Sequence, residues 1–363
     1  MKKTLFKKIL SVGLMASMTL TMAACGKGGS SGGGDGTSDE LNIYIWSEYI
    51  PDNVIEGFEK EYGINVNVTF FTSTDEMLAK VMTGGASEYD LIQPSQNIIA
   101  ALRDQEYIQK LDFDNIPNYK YVDDTYKTKY FAEDDAEYCV PYMASATVVA
   151  YNKNTCPIQI TKFEDLLNPA LKDQLVSTTS SQQIMGMALS HLGYDPNSTD
   201  EDEIAEAGEW LMDLKPNIKV FDGDAPRKSL LNGECSAGIL YGGDLAIAME
   251  EQPDTFEVCR FDPDDVYYPI GTSQFCVTKD APHAKEAEMF INYIQDPKNY
   301  AKCLDAYPYI STNSEALNYV GDAYKNITVF DFTDEELENS WIPKDLGDAS
   351  VIYDKYWSQF MNQ

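Results

Sequence analysis

The stretch LNIYIWSEYIPDNVIEGFEKEYGINVNVTF, residues 41–70, decides the fold, because strand, helix and strand patterns follow one another within it. An apolar run from Leu41 to Ile45 predicts the first strand. A helix over Pro51 to Tyr62 follows, with apolar side chains on one face and proline allowed in the first turn. Apolar and polar residues then alternate over residues 64–70, which predicts a second strand. The stretch therefore predicts a βαβ unit, the building block of a mainly parallel sheet.

The alternation of strands and helices continues far along the chain. Further strands are predicted at residues 89–92, 174–177, 218–221 and 236–241, and further helices at residues 74–83, 97–103, 183–192, 203–214 and 226–231. A chain of this length is sufficient for two α/β domains of ordinary size. Ligands bind beyond the carboxyl ends of the strands in open α/β sheets. Residues 46–49, Trp-Ser-Glu-Tyr, come directly after the first strand and lie where such a site is expected.

The N-terminal segment has the features of an export signal. Lysines precede an apolar run from Ile9 to Met22, and Ala23-Ala24-Cys25 follows. The run is too short and too near the N-terminus to favour a retained membrane span. Small residues directly before a cysteine resemble the lipobox of bacterial lipoproteins, so we expect residues 1–24 to be a signal peptide and Cys25 to be lipidated. A plain secretory signal with an incidental cysteine is the alternative. Residues 25–40 are rich in Gly and Ser, which predicts a flexible tether.

Charge and cysteine content exclude some functions. A formal net charge of −32 excludes nucleic-acid binding through phosphates. Such a surface attracts cations, although solubility at a cell surface explains the charge equally well. Apart from Cys25 the cysteines have no C-x-x-C spacing, so no metal site is predicted. Free thiols and disulfides both remain open for Cys139, Cys156, Cys235, Cys259, Cys276 and Cys303.

Residues for common catalytic chemistry are scarce. The chain has two histidines, His191 and His283, which offer little material for a catalytic triad. Asp222-Gly-Asp224 fails as a calcium loop, because Pro226 and Arg227 stand where a ligand and a sharp turn are needed. A P-loop and a dinucleotide-binding glycine motif are both missing from the sequence. We therefore expect no enzymatic activity and no cofactor; a hydrolase that uses carboxylates alone is the remaining enzymatic alternative.

A series of motifs in order along the chain carries a resemblance to a known family. The motifs are IYIWSEYIP at residues 43–51, YDLIQPS at 89–95, VPY at 140–142, YGGD at 241–244 and GDASVIY at 347–353. Together with the lipobox, they resemble the spermidine/putrescine-binding family of solute-binding proteins of bacterial ABC importers, from Leu41 to Phe360. The resemblance implies an α/β, two-lobed, periplasmic-binding-protein-like fold. Each lobe would be a mainly parallel sheet flanked by helices, and crossing hinge strands would join the lobes.

The resemblance also implies a domain arrangement and a role. The first lobe is expected at residues 41–147 plus 273–312 and the second at residues 148–272 plus 313–363. The protein would be a monomer outside the cytoplasm, anchored to the cell membrane through the lipid on Cys25. It would capture a small molecule between the lobes and deliver it to an ABC permease with its cytoplasmic ATPase. A surface sensor or adhesin that uses the same fold without transport is the alternative role.

Candidate ligand-binding residues follow from the matched positions. Some putrescine-binding relatives hold a terminal amine with a carboxylate at the position of Asp244, although Asp244 could instead be the N-cap of the next helix. Elsewhere amide, hydroxyl or small side chains replace acidic and aromatic residues of the family. The substrate-binding candidates are Trp46, Ser47, Glu48, Tyr49, Ser95, Asn97, Ser180, Gln183, Tyr241, Asp244, Ser273 and Tyr309.

The residue types at these positions favour a cationic ligand. Trp46 and Tyr49 offer aromatic faces to an alkyl chain or an ammonium group. Glu48 and Asp244, one from each lobe, would repel each other on closure unless a cation lay between them. We expect a small cation of the polyamine class, short or singly charged, because a long polyamine would bury charges without enough carboxylates. A neutral or zwitterionic solute such as an amino acid or a betaine is the alternative, bound through Ser180, Gln183, Ser273 and Asn97.

Overall fold

The computed structural model describes residues 39–84, 87–128, 135–262 and 264–362. The predicted signal peptide, the lipidation site Cys25 and the tether as far as residue 38 lie outside the described residues. Glu40, the last residue of the predicted tether, begins the first strand. In the described ranges, no helix combines the length and the apolar character that a membrane crossing requires.

The described residues form ten strands. They are β1 (Glu40–Trp46), β2 (Asn65–Phe71), β3 (Leu91–Ile92), β4 (Cys139–Asn152), β5 (Leu175–Ser177), β6 (Ile218–Phe221), β7 (Ala237–Tyr241), β8 (Phe256–Val258), β9 (Ile270–Val277) and β10 (Ile310–Ser311).

Helices connect most of these strands. In the same described ranges they are α1 (Asp52–Tyr62), α2 (Thr74–Met82), α3 (Ile99–Asp104), α4 (Asp124–Thr128), α5 (Ser181–His191), α6 (Glu201–Leu214), α7 (Arg227–Leu231), α8 (Gly242–Glu251), α9 (Ala284–Ile294), α10 (Pro297–Ala306), α11 (Asp322–Lys325), α12 (Asp334–Asn339) and α13 (Ser350–Met361).

Local sequence explains where the first two helices begin and end. Pro51, in an extended conformation, precedes α1, and Gly63 ends it in the left-handed region at φ 71°. At the start of α2, the hydroxyl of Ser73 accepts a hydrogen bond from the backbone N–H of Glu76 at 3.1 Å. The carboxylate of Glu76 in turn accepts one from the N–H of Thr72 at 3.0 Å. These contacts satisfy backbone donors that the first turn of a helix leaves without partners.

Two parallel groups of strands lie on either side of an antiparallel pair. The strand order is β2-β1-β3-β9-β4-β7-β5-β6, and β8 and β10 also pair with β4. β1 is parallel to β2 and β3, and β5 is parallel to β6 and β7. β4 pairs with β9 along its first part, up to Ala146, and with β7 from Thr147 to Tyr151. One continuous strand of 14 residues thus belongs to both lobes, as expected for a strand that crosses between them.

Each lobe has its own hydrophobic core. In the first lobe, α1 and α9 pack against the sheet through fully buried side chains such as Phe58 and Phe290. In the second lobe, Leu211 of α6 and Ile239 of β7 belong to the main buried cluster. Near the C-terminus, Val320 packs in the first core, whereas Val329 and Tyr353 pack in the second. The exact lobe limits remain a prediction.

The six described cysteines are free thiols, five of them buried. Burial raises the pKa of Cys235 to about 11 and the pKa of Cys303 to about 12. These thiols are therefore neutral at ordinary pH and behave as small apolar side chains.

Candidate ligand-binding cleft

A cavity of about 660 Å³ opens where the strand ends of the two lobes meet. That volume lies within the usual range of small-molecule sites. The structure brings all twelve candidate residues to its wall: Trp46, Ser47, Glu48, Tyr49, Ser95, Asn97, Ser180, Gln183, Tyr241, Asp244, Ser273 and Tyr309. Within the described ranges, no Lys, Arg or His side chain belongs to this lining. The cavity wall is therefore acidic, aromatic and rich in neutral polar groups.

The end of β1 provides the first wall. Trp46 is half-buried. The centroid of its ring lies 4.4 Å from that of Phe71, and the two ring planes are at 59° to each other. Two residues later, Glu48 has a positive φ of 56°. A non-glycine residue in this region costs free energy, and such residues cluster at functional sites. The strained turn lies where the chain leaves the strand and enters the cleft.

Two stacked tyrosines of the first lobe line one side of the cleft, and one of them contacts the second lobe. The rings of Tyr49 and Tyr309 lie 4.5 Å apart and nearly parallel, at 19°. Tyr309 also covers Gly243 so closely that a Cβ at that position would approach the ring to 2.5 Å. Burial raises the pKa of both tyrosines, so they remain neutral phenols. The YGGD segment therefore needs glycine at Gly243 for this contact.

Arg227 lies between the two carboxylates that the sequence analysis singled out. Its Nη2 donates to Oε1 of Glu48 at 3.0 Å, and its Nη1 donates to Oδ1 of Asp244. The backbone N–H of Arg227 donates to the other oxygen of Asp244 at 2.7 Å. We call Glu48, Arg227 and Asp244 the ionic clasp. It links the end of β1 in one lobe to α7 and α8 in the other.

Burial distinguishes the two halves of the ionic clasp. The side chains of Arg227 and Asp244 are 8% and 6% exposed, whereas that of Glu48 is 40% exposed. Burial raises the pKa of Asp244 to about 6, although Arg227 acts in the opposite direction. Burial lowers the pKa of Arg227, but hydrogen bonds to Glu48 and Asp244 outweigh this effect and raise it overall. Arg227 and Asp244 therefore form a charged pair at neutral pH.

The ionic clasp changes two sequence-based expectations. A ligand cation was expected between Glu48 and Asp244, whereas the protein places its own guanidinium there. The alternative role of Asp244 as an N-cap is wrong, because Tyr241 precedes the first turn of α8 and Asp244 lies within that turn. Sequence reasoning considered Arg227 only as an obstacle to a calcium loop. The signal available was an arginine in the short helix that precedes the strand leading to Asp244.

A second carboxylate of the same lobe also lines the cleft. Asp224 lies in the loop after β6, is exposed, and accepts a hydrogen bond from the hydroxyl of Ser47 at 3.2 Å. This contact joins the two lobes at the mouth of the cavity. Asp224 was not predicted as a site residue, because the sequence around it was interpreted only as a failed calcium loop.

Neutral polar groups form the floor and the opposite wall. Ser95 and Ser273 are bridge partners where the chain crosses, and the hydroxyl of Ser273 accepts from Gln93 at 3.2 Å. Gln183 accepts from the hydroxyl of Thr147 at 2.5 Å, which leaves its amide N–H groups to other partners. Ser180 and Asn97 add hydroxyl and amide groups. Further lining residues that no motif indicated include Thr72, Gln96, Thr272, Trp357 and Met361.

A two-lobed α/β fold that closes around a polar and aromatic cleft defines a binding protein for small solutes. A profile of the family described as bacterial extracellular solute-binding protein matches residues 53–330. The chain belongs to this family, whose members bind solutes and are not enzymes.

Curated relatives agree with this membership. The spermidine/putrescine-binding periplasmic protein of Salmonella typhimurium is 29% identical over 328 residues, covering 89% of this chain and 91% of the relative. The putrescine-binding periplasmic protein PotF of Escherichia coli is 28% identical over 295 residues, covering 76% and 78%. These matches confirm the resemblance inferred from the motifs.

Solved structures agree with the fold. The TpPotD lipoprotein of Treponema pallidum has a TM-score of 0.79 and 28% identity, and the match covers 90% of this chain and all of that one. MotA of A. tumefaciens B6, solved in complex with glucopine, has a TM-score of 0.71 at 16% identity, covering 89% and 100%. The protein is therefore an extracytoplasmic solute receptor with a two-lobed binding-protein fold.

Proposed function

We propose that this protein is the receptor of an ABC importer and captures a small organic cation of the polyamine class. The observation that carries the proposal is a cleft lined by carboxylates and aromatic rings, with no basic side chain among its described lining residues. Such a wall attracts an alkylammonium group through charge and through ring faces. The relatives named for spermidine and putrescine support the same class.

Ten of the twelve candidate residues are proposed to contact the ligand in two ways. Trp46, Tyr49, Tyr241 and Tyr309 would cover the carbon chain and face the ammonium group. Ser47, Ser95, Asn97, Ser180, Gln183 and Ser273 would hydrogen-bond the rest of the molecule, while Glu48 and Asp244 would set the charge of the cleft. Closure of the lobes would bring both sets onto one ligand before delivery to the permease and its ATPase.

A neutral or zwitterionic solute is the second candidate. The observation that favours it is the ionic clasp, because Arg227 already neutralises part of the acidic wall. The amide and hydroxyl groups of Gln183 and Ser273 suit such a ligand. MotA with glucopine illustrates that the fold itself does not select polyamines.

A thermal-shift screen tests the ligand class. Polyamines, monoamines, amino acids, betaines and sugars would each be added in excess, since a ligand at 100 times its Kd stabilises by about 2.7 kcal/mol. We expect amines to raise the melting temperature and Trp46→Ala to weaken their binding by about 1–3 kcal/mol in calorimetry. Stabilisation by sugars or amino acids alone would contradict the proposal. Loss of amine uptake in a strain lacking the protein would separate transport from a sensor role.

The membrane anchor is part of the same proposal. Residues 1–24 would be removed, Cys25 would carry the lipid, and residues 25–40 would tether lobes at residues 41–147 plus 273–312 and 148–272 plus 313–363. A monomer suffices, because one chain builds the whole cleft. We expect the native protein to sediment with membranes and Cys25→Ser to appear in the soluble fraction or unprocessed. A soluble wild type would overturn the anchor.

A further inference from the structure

We infer that Arg227 is a built-in counter-cation that fills the amine position between Glu48 and Asp244, so that the cleft gives a diamine no advantage over a monoamine. The inference rests on the proposed function, in that the ligand is an amine. It goes further by assigning a specificity-determining residue and by fixing the number of ammonium groups that the cleft can pair.

The contacts of Arg227 leave little of Asp244 for a ligand. Both oxygens of that carboxylate are taken, one by the guanidinium and the other by the backbone N–H of the same residue. The guanidinium is planar and holds its donors in a rigid fork, so one nitrogen donates to Asp244 while the other donates to Glu48. A ligand ammonium would offer three donors from one point and would have to displace a charge that is almost fully buried.

The backbone holds Arg227 in this position. It begins α7, where Pro226 precedes it, and Ser229 and Leu230 of the same short helix are buried. The N–H bond to Asp244 fixes the main chain of Arg227 against the first turn of α8, so the side chain extends from an anchored point. The guanidinium therefore belongs to the packed structure of the second lobe and is not a mobile surface charge.

Asp224 remains the available carboxylate. Of the three acids in the described lining, Glu48 and Asp244 contact Arg227, whereas Asp224 is exposed and, among the described residues, its carboxylate accepts a hydrogen bond only from the neutral hydroxyl of Ser47. A single ammonium group can bind there with charge assistance. The other end of the ligand then meets hydroxyl and amide groups, which pair better with a neutral terminus than with a second ammonium.

The test compares two probes with the same four-carbon chain, putrescine with two amines and butylamine with one. Titration calorimetry at physiological salt would measure both with the wild type, Arg227→Met, the double variant Arg227→Met/Asp244→Asn and the control Lys228→Ala. Lys228 is the exposed neighbour of Arg227 on α7, and Lys228→Ala removes one positive charge outside the ionic clasp.

We expect the wild type and Lys228→Ala to bind the two probes within about threefold of each other. Arg227→Met empties the position between the carboxylates, so putrescine should gain about tenfold or more while butylamine gains less. The gain should disappear in the double variant, which removes the charge of Asp244.

Two results would overturn the inference: a wild type that binds putrescine at least about tenfold more tightly than butylamine, or a folded Arg227→Met without gain for putrescine. If Arg227→Met does not fold, the wild-type ratio alone decides. If the wild type binds neither amine, the proposed function fails, whereas a gain of putrescine binding in Arg227→Met would still support the filled amine position. The two failures are therefore distinguishable.

Discussion

Asp224 and Asp244 line the same cleft from the same lobe, yet among the described residues only Asp244 of the two forms an ion pair. Asp244 is buried and gives both oxygens to Arg227, while Asp224 is exposed and accepts from the neutral hydroxyl of Ser47. The comparison teaches that an acid in a binding cleft indicates a cationic ligand only if the protein has not already supplied the cation.

The physical difference between the two acids is desolvation. A buried carboxylate has lost its water and depends on its partner, so removal of one member leaves a charge without compensation. An exposed carboxylate keeps its water and loses little when a neighbour changes. We therefore expect changes at Asp244 to affect folding and changes at Asp224 to affect binding.

The largest effect is expected for Asp244→Ala. The variant leaves the buried guanidinium of Arg227 with one half-exposed partner, and the free energy of unfolding should fall by about 3–5 kcal/mol. Urea denaturation measures this loss. Asp244→Asn is the matched control, because the amide oxygen can still accept a hydrogen bond and the loss should be smaller. A free energy of unfolding within about 1 kcal/mol of the wild type would show that the ionic clasp is not a structural ion pair.

Asp224→Asn should have the next largest effect, on binding alone. Loss of the charge should lower the affinity for the amine that binds best in the screen by about tenfold, since a hydrogen bond to a charged group contributes about 1.5–3 kcal/mol. Calorimetry measures the affinity, and the melting temperature should stay unchanged. Asp213→Asn on α6 removes an exposed acid outside the cavity lining and serves as the control. Equal affinity in both variants would remove Asp224 from the site.

Glu48→Gln sharpens the comparison within the ionic clasp. Because Glu48 is 40% exposed, its ion pair with Arg227 should contribute less than about 1 kcal/mol to the free energy of unfolding. The same urea titration checks this value beside that of Asp244→Ala. A loss as large as that of Asp244→Ala would mean that both halves of the ionic clasp are equally important.

The smallest effect is expected for Ser47→Ala. It removes the hydroxyl that donates to Asp224 but leaves the carboxylate, so the amine affinity should fall by about two- to threefold, or about 0.5 kcal/mol. Calorimetry again provides the measurement. A loss larger than that of Asp224→Asn would indicate that Ser47 itself holds the ligand.

Sequence periodicity was sufficient for the first strands and helix of the fold, whereas the crossing strands β4 and β9 were expected only from the family resemblance. The pattern in residues 41–70 predicted β1, α1 and β2 with ends within a residue or two, because apolar spacing and capping residues are local signals. Motif positions also brought twelve residues to one cavity, since strand ends gather at one edge of a parallel sheet.

Local sequence signals could not predict the ionic clasp. Its two ion pairs join Arg227 to partners that lie 17 and 179 positions away in the sequence, and no periodic pattern reports contacts over such separations. Asp224 was missed for a related reason, because its role depends on Ser47 in the other lobe, 177 positions away. Strand ends can be predicted from neighbours in the chain, whereas charge partners require the folded arrangement.

The place of β9 in the sheet has a consequence for synthesis. Since β9 pairs with both β3 and β4, a nascent chain that ends before residue 270 leaves the edges of those strands without a partner. Unpaired edges attract other chains, and long-range pairing slows folding. The ribosome must therefore add about three quarters of the chain before the first lobe can close, and until then a chaperone that covers strand edges would protect this protein from aggregation.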